Sequence, residues 1–133
     1  KYFDGKSIDV LARKYLKEIG LNYEHGTGHG VGFFLNVHEG PHSISRFNKV
    51  KFREGMIVSN EPGYYKKNNF GIRIENLIYV KKIRNKLSFE NLTLAPIEKD
   101  LIDFKQLSKN EKKYLLNYNL NIYSKIVLVW FLY

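Results

Sequence analysis

From His25 to Gly32 the chain reads His-Gly-Thr-Gly-His-Gly-Val-Gly, with a glycine at every second position, and Gly40 follows shortly after. No other stretch restricts the fold as strongly. It fails both phosphate-loop templates: Val31 stands where G-x-G-x-x-G needs its third glycine, and no Gly-Lys-Ser/Thr follows. Glycines alternating with other residues suit an extended, bulged strand that a second backbone approaches closely. Such a strand would present His25 and His29 in a confined place.

The flanking segments read more conventionally. Ser7 is the expected N-cap of a helix in which Ile8, Leu11, Ala12, Tyr15, Leu16 and Ile19 form the inner stripe. Arg13, Lys14, Lys17 and Glu18 are expected to face water, and Gly20 to end the helix, with Leu21 closing the turn. Residues 42–55 read as loop and strand edge, with His42 on the surface and a turn at Arg53-Glu54-Gly55. Met56 to Val58 is a short strand leading into Glu61-Pro62-Gly63. There Pro62 holds Glu61 extended, and Pro-Gly signals a type II turn. Phe70 to Lys82 reads as one strand, with Ile72, Ile74, Ile78 and Val80 on one face and Arg73, Glu75, Leu77 and Tyr79 on the other. Arg84-Asn85-Lys86 is a turn, and Phe89 to Ile97 a further extended segment ending near Pro96. Ser108-Lys-Asn-Glu111 is a capping box for a last helix with Leu115, Tyr118, Ile122 and Ile126 inward. The apolar run Ile126 to Tyr133 is either buried or an aggregation hazard.

Composition narrows the function. With 133 residues the chain makes one ordinary domain or part of a larger one. The absence of cysteine excludes disulfide scaffolds, thiolate zinc sites and a cysteine nucleophile. No apolar run approaches the ~20 residues that span a bilayer, so no membrane partner is expected. The net charge of +9 invites a nucleic-acid reading, but lysine supplies 17 of the 22 cations and is scattered. Without an arginine-rich patch the excess reads as a solvated basic surface, and no nucleic-acid partner is expected. No secretory signal and no cysteine point to the cytoplasm.

The residues able to carry chemistry are His25, His29, His38, Glu61, Arg73 and Glu75. Singly, each has an ordinary structural explanation: a turn glutamate, a surface ion pair, paired histidines. Together, one strand-borne imidazole and two strand-borne carboxylates suit a hard or borderline divalent ion such as Mn²⁺, Co²⁺ or Zn²⁺.

His25-Gly-Thr-Gly-His29-Gly-Val-Gly, Asn36-Val-His38-Glu-Gly-Pro, Glu61-Pro-Gly-Tyr-Tyr65 and Gly71-Ile-Arg-Ile-Glu75-Asn closely resemble the Xaa-Pro aminopeptidase (aminopeptidase P) family of the pita-bread metallopeptidase superfamily. Asn91-Leu-Thr-Leu-Ala-Pro-Ile97 resembles its long members. The resemblance implies an α+β fold, the C-terminal half of a pita-bread domain with a curved antiparallel sheet and flanking helices. It implies hydrolysis of the N-terminal Xaa-Pro bond by a hydroxide held between two divalent metal ions, manganese first and zinc or cobalt next. His29, Glu61 and Glu75 are the implied metal ligands, with Glu61 also the general acid–base. His25 and His38 are implied to line the substrate site and take part in catalysis. Tyr65 is implied to bind substrate, and Arg73 to support the carboxylates. The implied substrate is a peptide with proline second, and a homodimer through the C-terminal region is implied as well.

The same resemblance implies two more aspartate ligands upstream, which this segment does not match. Two divalent ions bring more positive charge than Glu61 and Glu75 neutralise. The chain is therefore expected to be a fragment, truncated product or partial gene model with little activity alone, divided into residues 1–97 (part of the catalytic domain) and 98–133 (a C-terminal extension). The alternatives are a non-catalytic module of the same fold, or a sister peptidase such as a proline dipeptidase or methionine aminopeptidase.

Overall fold

The computed structural model describes residues 3–34 and 36–130, and the side chains up to residue 127. Helix α1 (Gly5–Glu18) is followed by short strands β1 (Gly28–His29) and β2 (Ser43–Ile44). Then come β3 (Ile57–Asn60), β4 (Gly63–Lys66), β5 (Phe70–Arg73), β6 (Asn76–Ile83) and β7 (Lys86–Asn91). A single turn of 3₁₀ helix (Lys99–Leu101) precedes helix α2 (Lys109–Trp130). The chain forms two compact units, residues 1–93 and 94–133. The secondary structure is a mixture of helices and antiparallel strands, the expected α+β class.

Helix α1 departs from its pattern. Its N-cap is Asp4, whose carboxylate accepts from the Ser7 N–H at 2.8 Å, while Ser7 Oγ accepts from the Asp4 N–H at 3.2 Å. Ser7 is therefore the third helical residue of a capping box rather than the cap. Gly20, at φ 74°, and the Leu21 N–H bonded to the Leu16 carbonyl end the helix as expected. The buried stripe is shifted relative to the amphipathic reading: Ile8, Ala12 and Leu16 are half-buried, and Lys14, Lys17 and Glu18 face water as expected. Asp9 and Arg13 are buried, whereas Leu11, Tyr15 and Ile19 are more than half exposed. Arg13 goes inward because it has partners there: Asp9 Oδ2 at 2.8 Å, Asn22 Oδ1 at 2.8 Å, and the carbonyls of Tyr23 and His25, both at 2.6 Å.

The core of the first unit is Ile44, Phe52, Val58, Ile78 and Val80. Full burial of side chains of this kind stabilises by about 1.5–3 kcal/mol each. The long strand expected over residues 70–82 is broken at Ile74-Glu75. β5 pairs with β4, and β6 with β3 and β7. The break divides the apolar face: Ile78 and Val80 are core, while Ile72 and Ile74 are nearly half exposed. Gly63 opens β4 and is not among the positive-φ residues, so no type II turn forms at Pro62-Gly63. Glycine is needed there for space, since a Cβ would lie 2.6 Å from the Tyr65 hydroxyl and 2.9 Å from the Ile72 carbonyl. Arg84 and Asn85, at φ 45° and 63°, make the expected turn between β6 and β7. The strand beyond it stops at Asn91, short of Ile97.

In the second unit Ser108 and Glu111 form their capping box, with N–H bonds of 2.8 and 3.3 Å. Tyr118 and Ile122 are buried as expected, and the Tyr118 hydroxyl donates to the Ala95 carbonyl at 2.7 Å. Ile126 is 42% exposed. Of the apolar run 126–133, residues 131–133 lie outside the described residues.

Candidate metal centre

The site is built by a hairpin whose register runs through an interruption. β3 and β6 pair Ser59 with Leu77 and Asn60 with Asn76. β4 and β5 pair Gly63 with Arg73 and Tyr64 with Ile72. The same register on both sides of the break sets Glu61 opposite Glu75. Like charges directly opposite one another destabilise a strand pair, so this placement calls for a cation between them.

The glycine-rich segment brings the third donor. An antiparallel bridge from Gly30 to Val58 and a 2.8 Å bond from the Glu61 N–H to the Thr27 carbonyl lay it along β3. Regular strand is confined to Gly28–His29, paired with Ser43–Ile44. The glycines serve close approach. A Cβ on Gly28 would meet the Ser59 carbonyl oxygen at 1.8 Å, and one on Gly30 the Glu39 carbonyl oxygen at 2.0 Å. The His29 N–H donates to Ser59 Oγ at 2.9 Å, and Ser59 Oγ donates to Glu61 Oε1 at 2.9 Å.

His29, Glu61 and Glu75 each offer a ligand atom, and these atoms lie within 4.8 Å of one another. His29 Nδ1 lies 3.0 Å from the Gly30 carbonyl, an acceptor only, so Nδ1 carries the hydrogen. That leaves Nε2 facing Glu61 Oε1 at 3.4 Å. A lone pair and a carboxylate oxygen this close share either a proton or a cation. A histidine whose other nitrogen donates to a backbone carbonyl is the usual arrangement of a metal ligand. The donor set therefore fits a divalent ion.

Arg73 lies 3.3 Å from Glu61 Oε2 and donates from Nε to the Tyr65 hydroxyl at 2.7 Å. The hydrogen bond to Tyr65, and then the charges of Glu61 and Glu75, push its guanidinium pKa above the ordinary value. The Tyr65 hydroxyl also meets His25 Nε2 at 2.9 Å, while His25 Nδ1 bonds the Gly26 carbonyl at 2.7 Å. The His38 ring packs against that of His29, with centroids 4.0 Å apart and planes tilted by 40°. The structure thus links all seven site residues singled out from the sequence.

Other residues of the site had escaped notice. Ser59 ties His29 to Glu61. Beneath His25, Thr27 Oγ1 donates to Asp9 Oδ1 at 2.6 Å and bonds the Tyr23 hydroxyl, and Arg13 sits 3.9 Å over the Tyr23 ring. The one available signal was Asp9 and Arg13 four apart on a helix, a spacing that lets them pair. His42, read as surface, is 8% exposed, with Nε2 on the Ile57 carbonyl at 2.6 Å.

Residues 3–82 match metallopeptidase family M24, and residues 85–128 match the C-terminal region of peptidase M24. The chain belongs to this metallopeptidase family. It is 50% identical to a probable Xaa-Pro aminopeptidase P of Botryotinia fuckeliana, over 91% of this chain and 20% of that protein. It is 45% identical to Xaa-Pro aminopeptidase 1 of Dictyostelium discoideum, over 93% and 21%. Among solved structures it resembles the X-prolyl aminopeptidase of Caenorhabditis elegans, described as a cytosolic enzyme with a di-nuclear active site. The TM-score is 0.82 at 38% identity, over 91% of this chain and 21% of that one. A prolidase from Pyrococcus horikoshii matches with a TM-score of 0.61 at 36% identity, over 76% and 27%. The chain spans about a fifth of the length of the curated relatives it matches. The α+β fold is that of the pita-bread M24 enzymes, matched over part of their length. Among the described residues no helix is long and apolar enough to cross a membrane.

Proposed function

We propose that this chain is part of an aminopeptidase that hydrolyses the N-terminal Xaa-Pro bond of peptides. The convergence of His29, Glu61 and Glu75 within 4.8 Å carries the reading. These side chains would hold divalent metal, two ions with manganese the best fit and zinc or cobalt next. When bound, the metal supplies the Lewis acidity that makes water nucleophilic near neutral pH. Glu61 takes the proton of the attacking water and returns it to the leaving nitrogen. Arg73 and Ser59 hold Glu61 in place for both transfers. His38, exposed beside His29, donates a hydrogen bond to the carbonyl oxygen as it gains charge. His25 and Tyr65 line the path of the peptide, tied to each other and through Tyr65 to Arg73. The leaving nitrogen belongs to proline, which carries no amide hydrogen once acylated, so a pocket shaped to its ring can select it.

Among the described residues these three donors are the cluster present, and two carboxylates do not balance two divalent ions. We therefore expect negligible turnover by the chain alone, with the missing carboxylates supplied by other polypeptide. Residues 1–97 would be the catalytic part and 98–133 an extension through which copies pair. The cytosolic description of the nematode relative supports a cytoplasmic setting. The aminopeptidase relatives favour this activity over that of a prolidase, and the intact donor set favours an enzyme over a binding module.

Two experiments test the reading. Titration of the chain with Mn²⁺, followed by electron paramagnetic resonance, should show binding that Glu75→Gln weakens about tenfold or more. Equal affinity in both proteins rejects the metal centre. Grafting residues 3–128 into the matching part of the Dictyostelium relative should give metal-dependent release of the first residue from Xaa-Pro peptides. Glu61→Gln should lower that rate by about 10²–10⁴. Metal-dependent release by the isolated chain would instead show its site to be complete.

A further inference from the structure

The exposed loop between Gly30 and His42 carries His38, and both its ends converge on one oxygen. The Val31 N–H donates to the Ile57 carbonyl at 3.2 Å, and the His42 imidazole reaches the same carbonyl at 2.6 Å. Within this base the Glu39 N–H donates to the Gly30 carbonyl at 2.9 Å, and Asn48 Nδ2 donates to the Pro41 carbonyl at 2.9 Å. Of the loop's described side chains, His42 is the one seen to hydrogen-bond to β3.

His42 is held for this contact at a cost. The carbonyl can only accept, so Nε2 carries the hydrogen and Nδ1 is bare. Nδ1 is buried and has no hydrogen-bond partner. A buried polar atom left unpaired is uncommon and calls for an explanation. The ring lies edge-on to Phe52, with centroids 6.1 Å apart and planes at 72°. A leucine could occupy such apolar surroundings without an unpaired nitrogen, but it could not tie the loop to β3.

We infer that His42 is a positioning residue that closes the base of the 31–42 loop on β3 and so keeps His38 against His29. Its bearing on catalysis rests on the role proposed above for His38, whereas the clamp itself does not depend on metal.

The test is made on the metal-free 133-residue chain by NMR, with the histidine rings labelled. The wild-type chain should show a nuclear Overhauser contact between the His29 and His38 rings. His42→Leu should lose it while the far-ultraviolet circular dichroism is unchanged. His42→Gln, whose amide can donate to the Ile57 carbonyl, should retain it. Absence of the contact in the wild type, its persistence in His42→Leu, or its loss in His42→Gln overturns the inference. If His42→Leu does not fold, the glutamine variant decides in the same way. Failure of the chain to bind Mn²⁺ would reject the metal centre but leave this contact as it is.

Discussion

Arg13 shows how much one side chain can organise at a distance from the chemistry. Its guanidinium pairs with buried Asp9 and bonds the carbonyls of Tyr23 and His25, so it sets the course of the chain into the His25 segment. Arg13→Ala would leave the Asp9 carboxylate buried without its charged partner. Removing one member of a buried ion pair costs about 3–5 kcal/mol, and urea unfolding should show a loss of that size. Gly28 has a steric role. The Ser59 carbonyl oxygen stands where a Cβ would go, and backbone cannot rotate aside as a side chain can. Gly28→Ala should cost about 3 kcal/mol or more and weaken Mn²⁺ binding, because it pushes His29 away from β3.

Among the elements, the start of α1 makes a prediction about pH. The Ser7 side-chain and backbone hydrogen bonds hold the Asp4 carboxyl below its ordinary value of 3.8. A depressed carboxylate pKa contributes stability that is fully present above the unfolded value and disappears as pH falls through the folded one. The difference in stability between the wild type and Asp4→Ala should therefore be constant at neutral pH and shrink below about pH 3.8. Unfolding followed by circular dichroism across that range measures it. The hairpin of β3 to β6 is the other decisive element. Its two halves keep one register across an interruption, and the two glutamates sit at that interruption.

In the first unit as a whole, large apolar side chains remain at the surface. Leu11, Tyr15 and Ile19 form an apolar stripe on α1 that is mostly bare, and Phe33 and Phe34 are also exposed. Contiguous apolar surface of this kind marks an interaction site or an aggregation liability. Sedimentation velocity should show concentration-dependent self-association of the chain, reduced in the double variant Leu11→Lys, Ile19→Lys. The net charge of +9 opposes association most at low ionic strength, so added salt should strengthen it.

The parts of this fold readable from neighbouring residues were those governed by local backbone chemistry. The Ser108–Glu111 capping box, the Gly20 helix stop, the turn at Arg84-Asn85 and the close packing of the glycine-rich segment each depend on a few adjacent residues. The donor set was legible through residue type and motif resemblance. The mutual distances of its members were not, because Glu61 comes opposite Glu75 only through the register of the folded hairpin, which the pattern along one strand does not supply. Amphipathic spacing misplaced Arg13 for a related reason. It ranks side chains by their affinity for water, whereas Asp9 and the Tyr23 and His25 carbonyls offer a buried guanidinium better partners. His42 likewise became an interior residue only because folding brought the Ile57 carbonyl within its reach. Short-range geometry is written in consecutive residues, while the burial of a polar group depends on partners that distant parts of the chain bring to it.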